Sequence, residues 1–269
     1  PTLILNTSPN DSVQLSSGSG TNTLIFNYTV KSGQSTSNLE YTSVNALTGN
    51  ILDNAGNFAS LTLPNIGSGN SLGSNKNIVI DTLLPTITNV TSSSLNGIYK
   101  SGDVIPIQIS FSKTVTVSGS PSITLNTGKT IVYSSGSGSN TLTFNYTVNT
   151  GENTSNLNYS STSIFLNTSD SIIDNFGNNA NVSLPGITSA NSLGSNKSIQ
   201  IDTVIPIIQN ITTTTDNGNY GTGTIPISIT FNKAINVIGT PQINLNIGNT
   251  RNINYSSGTG TDTLIFNYS

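Results

Sequence analysis

The segment TLIFNYT at residues 23–29 returns as TLTFNYT at 141–147 and as TLIFNYS at 263–269. Other segments keep the same spacing. PTLILNT at residue 1 matches PSITLNT at 121 and PQINLNI at 241, ILDNAGN at 51 matches IIDNFGN at 172, SLGSNK at 71 recurs at 192, and VIPIQISFSK at 104 matches TIPISITFNK at 224. The offset is 121 − 1 = 120 for the first pair and 202 − 81 = 121 for the recurring acid in IDT. Solenoid coils run ~20–45 residues, so this period is too long for a coil. It suits one whole β-sandwich of ~100 residues with generous loops. A right-handed β-helix would need coil-length similarity inside each repeat, and the sequence has none.

NIVIDTLLP, ending at Pro85, and SIQIDTVIP, ending at Pro206, mark the joints. In each, a strand-like run ends and a proline stiffens the chain beyond it. The cut predicts one complete β-sandwich repeat over 82–202. It leaves a partial repeat over 1–81 without its first strands and another over 203–269 without its last. The two partial repeats overlap in sequence, so they read as a window on a longer array.

The apolar period is two. In TLTFNYTV, Leu142, Phe144, Tyr146 and Val148 alternate with polar residues, and in VIPIQISF, Ile105, Ile107, Ile109 and Phe111 do the same. This is half-buried antiparallel strand patterning. About nine short strands are expected in the complete repeat. Pro106 and Pro226 predict an edge strand or a bulge. Asn96–Gly97 and Asn217–Gly218 predict hairpin turns. No segment carries a sustained helical apolar face.

Composition narrows the chemistry. Only 7% of residues are charged, and there is no His, Cys, Trp or Met. Lack of Cys removes disulfides, thiol nucleophiles and Cys-ligated metal centres. Lack of His removes the commonest general base. Eight basic residues argue against a nucleic-acid surface, and no apolar run is long enough to span a membrane as a helix.

The pattern runs from IDT-x-x-P through GIYKSGDVIPIQISFSKTVTVSGSPSITLNTG and YSSGSGSNTLTFNYTV to IIDNFGNNANVSLP and SLGSNKSIQIDT. It resembles the Ig-like, cadherin-like tandem repeats of very large bacterial surface proteins, adhesins and surface filament proteins among them. The resemblance implies an all-β fold, a tandem array of Ig-like antiparallel β-sandwich domains. It also implies an extracellular, cell-surface place and a non-enzymatic role, in modules often stiffened by calcium. This chain departs from the pattern at Lys113 and Lys233, where such repeats usually carry an acid, and at Gln34, which stands where repeat two has Glu152.

Asp53 and Asp174, in DNAGN and DNFGN, and Asp81 and Asp202, in IDT, are the candidate calcium ligands at the joints. Calcium takes six to eight oxygens from carboxylates, amides and carbonyls. Asp53, Asn54 and Asn57 with Asp81 would supply several. The competing reading is a turn, in which Asp and Asn bond their own backbone and Gly56 or Gly177 takes positive φ. Lys113 and Lys233, like Lys76 and Lys197, are read as edge-blocking strand lysines, with a Lys–Asn isopeptide crosslink as the rival. The expected function is a structural spacer segment of a surface stalk, filament or sheath. Its partners are neighbouring repeats of the same chain, with lateral self-association into a fibre. The alternative is an adhesin repeat that binds carbohydrate or a host surface.

Overall fold

The computed structural model describes the backbone of residues 1–269 and every side chain except those of 249 and 250. Strands take 45% of the chain and helix 3%, so the protein is all-β. It divides into two compact units, Pro1–Asp202 and Thr203–Ser269.

Residues 1–81 contribute β1 (Thr2–Leu5), β2 (Asp11–Ser17), β3 (Ile25–Phe26), β4 (Ser35–Thr36), β5 (Leu47–Thr48) and β6 (Ile80–Asp81), with a one-turn helix α1 (Leu72–Asn75). One sheet runs β3-β2-β1-β5 and a second ribbon pairs β4 with β6. Leu5, Val13, Leu39 and Ile80 form a small core between them.

Residues 82–202 contribute nine strands. These are β7 (Ile87–Ser92), β8 (Gly97–Tyr99), β9 (Val104–Ser118), β10 (Ser122–Thr124), β11 (Thr130–Ser135), β12 (Ser139–Thr147), β13 (Asn153–Thr154), β14 (Ser171–Ile173) and β15 (Ile199–Asp202), joined by a second one-turn helix, α2 (Leu193–Asn196). The long β9 is the spine. β12 pairs along one edge, while β7 and β14 share the other. A smaller sheet runs β13-β15-β8. Its Ile199 and Ile201 join Ile105, Ile107, Ile109, Leu142, Phe144 and Tyr146 in one buried cluster. Two sheets closing on one core make a sandwich arrangement. Each fully buried apolar side chain adds about 1.5–3 kcal/mol relative to exposure, and this alternation is what fixes the strand register.

Residues 203–269 contribute β16 (Ile208–Thr213), β17 (Ile225–Ile235), β18 (Gln242–Ile247), β19 (Asn249–Ser257) and β20 (Thr261–Tyr268) in one sheet ordered β16-β17-β20-β19-β18. Ile229, Ile253, Leu264 and Phe266 form its core. The edge-to-face pair Tyr133–Phe144 at 6.2 Å recurs as Tyr255–Phe266 at 6.1 Å, so the repeated sequence repeats its packing. The hairpin glycines match as well. A Cβ added at Gly18, Gly136 or Gly258 would meet a threonine carbonyl oxygen at 2.0–2.1 Å, and all three have φ near +100° to +111°. Only glycine fits that turn.

Two local expectations change. Pro106 does not lie on an edge strand, because β9 is flanked by β7 and β12. The carbonyl and N–H of a strand residue point the same way. The Pro106 carbonyl accepts the Ser92 hydroxyl at 2.6 Å. The missing N–H therefore points just past the last β7 pair, Ser92 with Ile107, and no ladder bond is lost. Asn96–Gly97 is not a two-residue hairpin, since Gly97 opens β8, which pairs in parallel with β15. No sustained helical face was expected, and the only helix among the described residues is one turn in each SLGSNK segment, where in the first the Ser71 hydroxyl accepts from Ser74 N at the N-cap.

Candidate functional site

Asp81 ends β6, and the next residues lead into the following repeat. Four residues of this joint are held by hydrogen bonds. Thr82 donates from its backbone and its hydroxyl to Gln34 O, at 3.1 and 2.9 Å. Gln34 is itself buried, and its amide donates to Asp11 at 3.0 Å, so the receiving loop is braced. Leu83 N donates to Asp81 Oδ1 at 3.0 Å, and Pro85 O accepts from Asn181 N at 2.8 Å.

Lys113 crosses this joint. It lies within β9, and its Nζ donates to Asp81 Oδ1 at 2.7 Å, to Asp174 Oδ2 at 3.1 Å and to Leu83 O. Asp81 belongs to repeat one and Asp174 to repeat two, so a single ammonium bridges the two repeats. Asn178 adds a second link, donating from its side chain to Asp81 O at 2.9 Å and to Asp174 Oδ2 at 3.0 Å. Asp81, Lys113, Asn175 and Phe176 line a cavity of about 240 Å³ at this point.

The electrostatics favour the charged pair. Burial alone would lower the Lys113 pKa, but the bonds to Asp81 and Asp174 outweigh it and hold the ammonium above its usual value. Burial alone would raise the Asp174 pKa. The side chain and backbone of Asn178, the Phe176 N–H and Lys113 together hold it below the ordinary carboxylate value.

Of the four candidate ligands, the structure brings Asp81 and Asp174 together, from different repeats. Sequence reasoning had paired Asp81 with Asp53. Asp53 instead closes its own turn, with Oδ1 accepting from Ala55 N and Asn57 N at 2.8 Å each and Oδ2 from the Asn57 amide at 2.9 Å. These bonds, led by that of the Asn57 side chain, lower its pKa. Asp202 ends β15, where its backbone pairs with Asn153. The Asp174 loop repeats the Asp53 turn, with Oδ1 taking Phe176 N and Asn178 N at 2.9 Å. Asp81 Oδ1 and both Asp174 oxygens are therefore taken by N–H donors and one ammonium. This donor set does not fit a calcium ion beside the lysine, and among the described residues no three acidic, histidine or cysteine side chains gather as a metal set.

Sequence reasoning took Lys113 for an edge lysine and did not single out Asn178 at all. The signal was present. Lys113 recurs as Lys233 in a chain with few charges, and a cation that meets recurring acids is a natural bridge. The same geometry begins to recur in the second unit, where Lys233 Nζ donates to Val204 O at 3.0 Å. That bond matches Lys113 to Leu83. Comparison with family models, with curated proteins and with solved structures finds no match.

Proposed function

We propose that the chain is a structural spacer, a run of Ig-like β-sandwich repeats in series within a cell-surface stalk, filament or sheath. The observation that carries this reading is the Lys113 bridge. Asp81, Lys113, Asp174 and Asn178 lock the linker of one repeat onto the body of the next. A lysine does there what a bound cation would otherwise do, so the joint is stiff without depending on metal. Each repeat has a buried core cluster of its own, as expected of a serial array. With 7% charged residues, the surface offers little like-charge repulsion to lateral packing. The extracellular setting rests on the resemblance of the repeat sequence. The spacer role needs no catalytic group, and the Lys113 cluster pairs its charges instead of leaving one poised to react.

Force spectroscopy on the tethered chain tests this. The spacer reading expects residues 82–202 to unfold as one cooperative event, releasing on the order of 400 Å of chain at ~3.5 Å per residue. Gradual extension with no discrete event of that size would overturn it.

A further inference from the structure

Asn96–Gly97 stands where the loop after β7 enters β8, and both residues are exposed. This dipeptide has a chemistry of its own. When base removes the Gly97 amide proton, the nitrogen attacks the Asn96 Cγ. The N–Cγ bond forms, the Cγ–Nδ2 bond breaks and ammonia leaves, giving a five-membered succinimide. Water then opens the ring at one carbonyl or the other, leaving aspartate or isoaspartate. A residue 97 without a side chain leaves the attack unobstructed.

The fold holds both reacting groups in other bonds. Gly97 N donates to Ser198 O at 3.0 Å, and Asn96 Oδ1 accepts from Ser198 N at 3.0 Å. One residue therefore occupies the nucleophile and orients the electrophile. Ring closure needs the Gly97 nitrogen deprotonated and turned onto the Asn96 Cγ, and both bonds to Ser198 must break first. The flanking chain is clamped as well. Lys197 Nζ donates to Ser94 O at 2.9 Å, and the Tyr99 hydroxyl donates to Leu95 O at 2.8 Å. Beyond Ser198, β15 runs parallel to β8 and pairs Ile199 with Gly97, Gln200 with Ile98 and Ile201 with Tyr99. Ile199 and Ile201 are buried, which anchors the strand that carries the lock.

We infer that Asn96–Gly97 is a latent succinimide site, intact while Ser198 is seated and converted when residues 197–202 leave β8. β15 is the last strand of repeat two, so local opening, by heat or by a pull on the chain beyond Asp202, acts on it directly. The isoaspartate product is a one-way record of that opening. It routes the main chain through Cβ and Cγ and so adds one backbone atom between the residue 96 Cα and Gly97 N. The pairing of Ile199 with Gly97 and of Ile201 with Tyr99 cannot then be kept in register, and β15 cannot reseat. Plain aspartate leaves the backbone unchanged and keeps an oxygen for Ser198 N, so only the isoaspartate branch locks the strand out. The inference uses neither the Lys113 bridge nor the spacer reading, so either can fail without the other.

Peptide mapping by mass spectrometry tests it on the full chain, incubated at mildly alkaline pH either folded or in concentrated urea. Asn96 is expected to convert at least about tenfold more slowly in the folded chain. Ser198→Pro removes the N–H that Asn96 accepts, and Lys197, already extended at φ −137° and ψ 142°, tolerates a proline after it. Lys197→Ala removes the clamp on Ser94 O and keeps the backbone untouched, so it serves if the proline variant fails to fold. Each folded variant is expected to convert Asn96 severalfold faster than the folded parent, with no change of rate in urea. The purified isoaspartate chain is expected to melt below Asn96→Asp. Equal rates for the parent folded and in urea, folded variants that convert no faster than the parent, or an isoaspartate chain that melts with Asn96→Asp would each overturn the inference.

Discussion

Repeat two and the second unit share a repeated sequence pattern but are packed differently. β7 and β16 align position for position, yet Val90 lies under α2 and Ile211 faces solvent. Tyr133–Phe144 and Tyr255–Phe266 keep one geometry in both. The hairpin between β11 and β12, recurring between β19 and β20, is therefore set locally, by alternation and by one glycine. The β7 environment is set by chain that arrives about 100 residues later, at Asn191–Lys197. Matching local sequence fixes matching hairpins, while burial depends on what the distant chain supplies.

The largest expected effects separate those two situations. Val90→Asp places an unpaired charge at a fully enclosed position and is expected to cost about 4 kcal/mol or more, enough to unfold a repeat of ordinary stability. Ile211→Asp is expected to change stability by less than about 0.5 kcal/mol. Urea unfolding of the two variants checks the contrast, and equal losses would erase it. Next comes the shared aromatic. Phe144→Ala is expected to cost about 4 kcal/mol. The matched Phe266→Ala lies in a smaller cluster that can relax around the gap, and about 2 kcal/mol is expected there.

Lys113→Met should have a smaller effect, about 1–2 kcal/mol, discounted because the lysine side chain is 23% exposed and open to screening. Its pH dependence comes from the two shifts. The Asp174 pKa is lowered, so its contribution is present above the unfolded value of ~3.9 and is lost as pH falls through the folded value. The Lys113 pKa is raised, so its contribution is present below the unfolded value of ~10.4 and is lost as pH rises through the folded value. The stability difference between the parent and Lys113→Met should be flat across the neutral range and shrink at both extremes. A difference that varies through neutral pH would point to some other group. The smallest effect is expected at Asn89→Ala, which removes the bond from Asn196 and should cost about 1 kcal/mol. Asn210→Ala should cost close to nothing, and thermal melts of the pair would resolve the two.

Much of the fold was legible because alternation and repetition are strong local signals. The seven apolar residues Ile105, Ile107, Ile109, Phe111, Leu142, Phe144 and Tyr146 are all buried, as a period of two requires. Pro106 misled because strand membership was legible but its neighbours were not. The direction in which its missing N–H points depends on where β7 stops. The site was half legible. Asp81 and Asp174 stood out by recurrence, and the turn chemistry around Asp53 was readable from Asp-Asn-x-Gly-Asn. That Asp81 meets Asp174 of the next repeat, with Lys113 between them, depends on how residues 1–81 pack against residues 82–202, and no spacing within one repeat encodes that.

The bridge across the joint is the central claim. It is tested most directly by double electron–electron resonance, with one spin label on an exposed strand position in repeat one and another in repeat two, in the parent chain and in Lys113→Met. A stiff joint predicts a single narrow distance distribution in the parent, unaffected by a calcium chelator, and a clearly broader one in the variant. An equally narrow distribution in both, or a parent distribution that broadens when calcium is removed, would contradict the claim that Lys113 holds the repeats together.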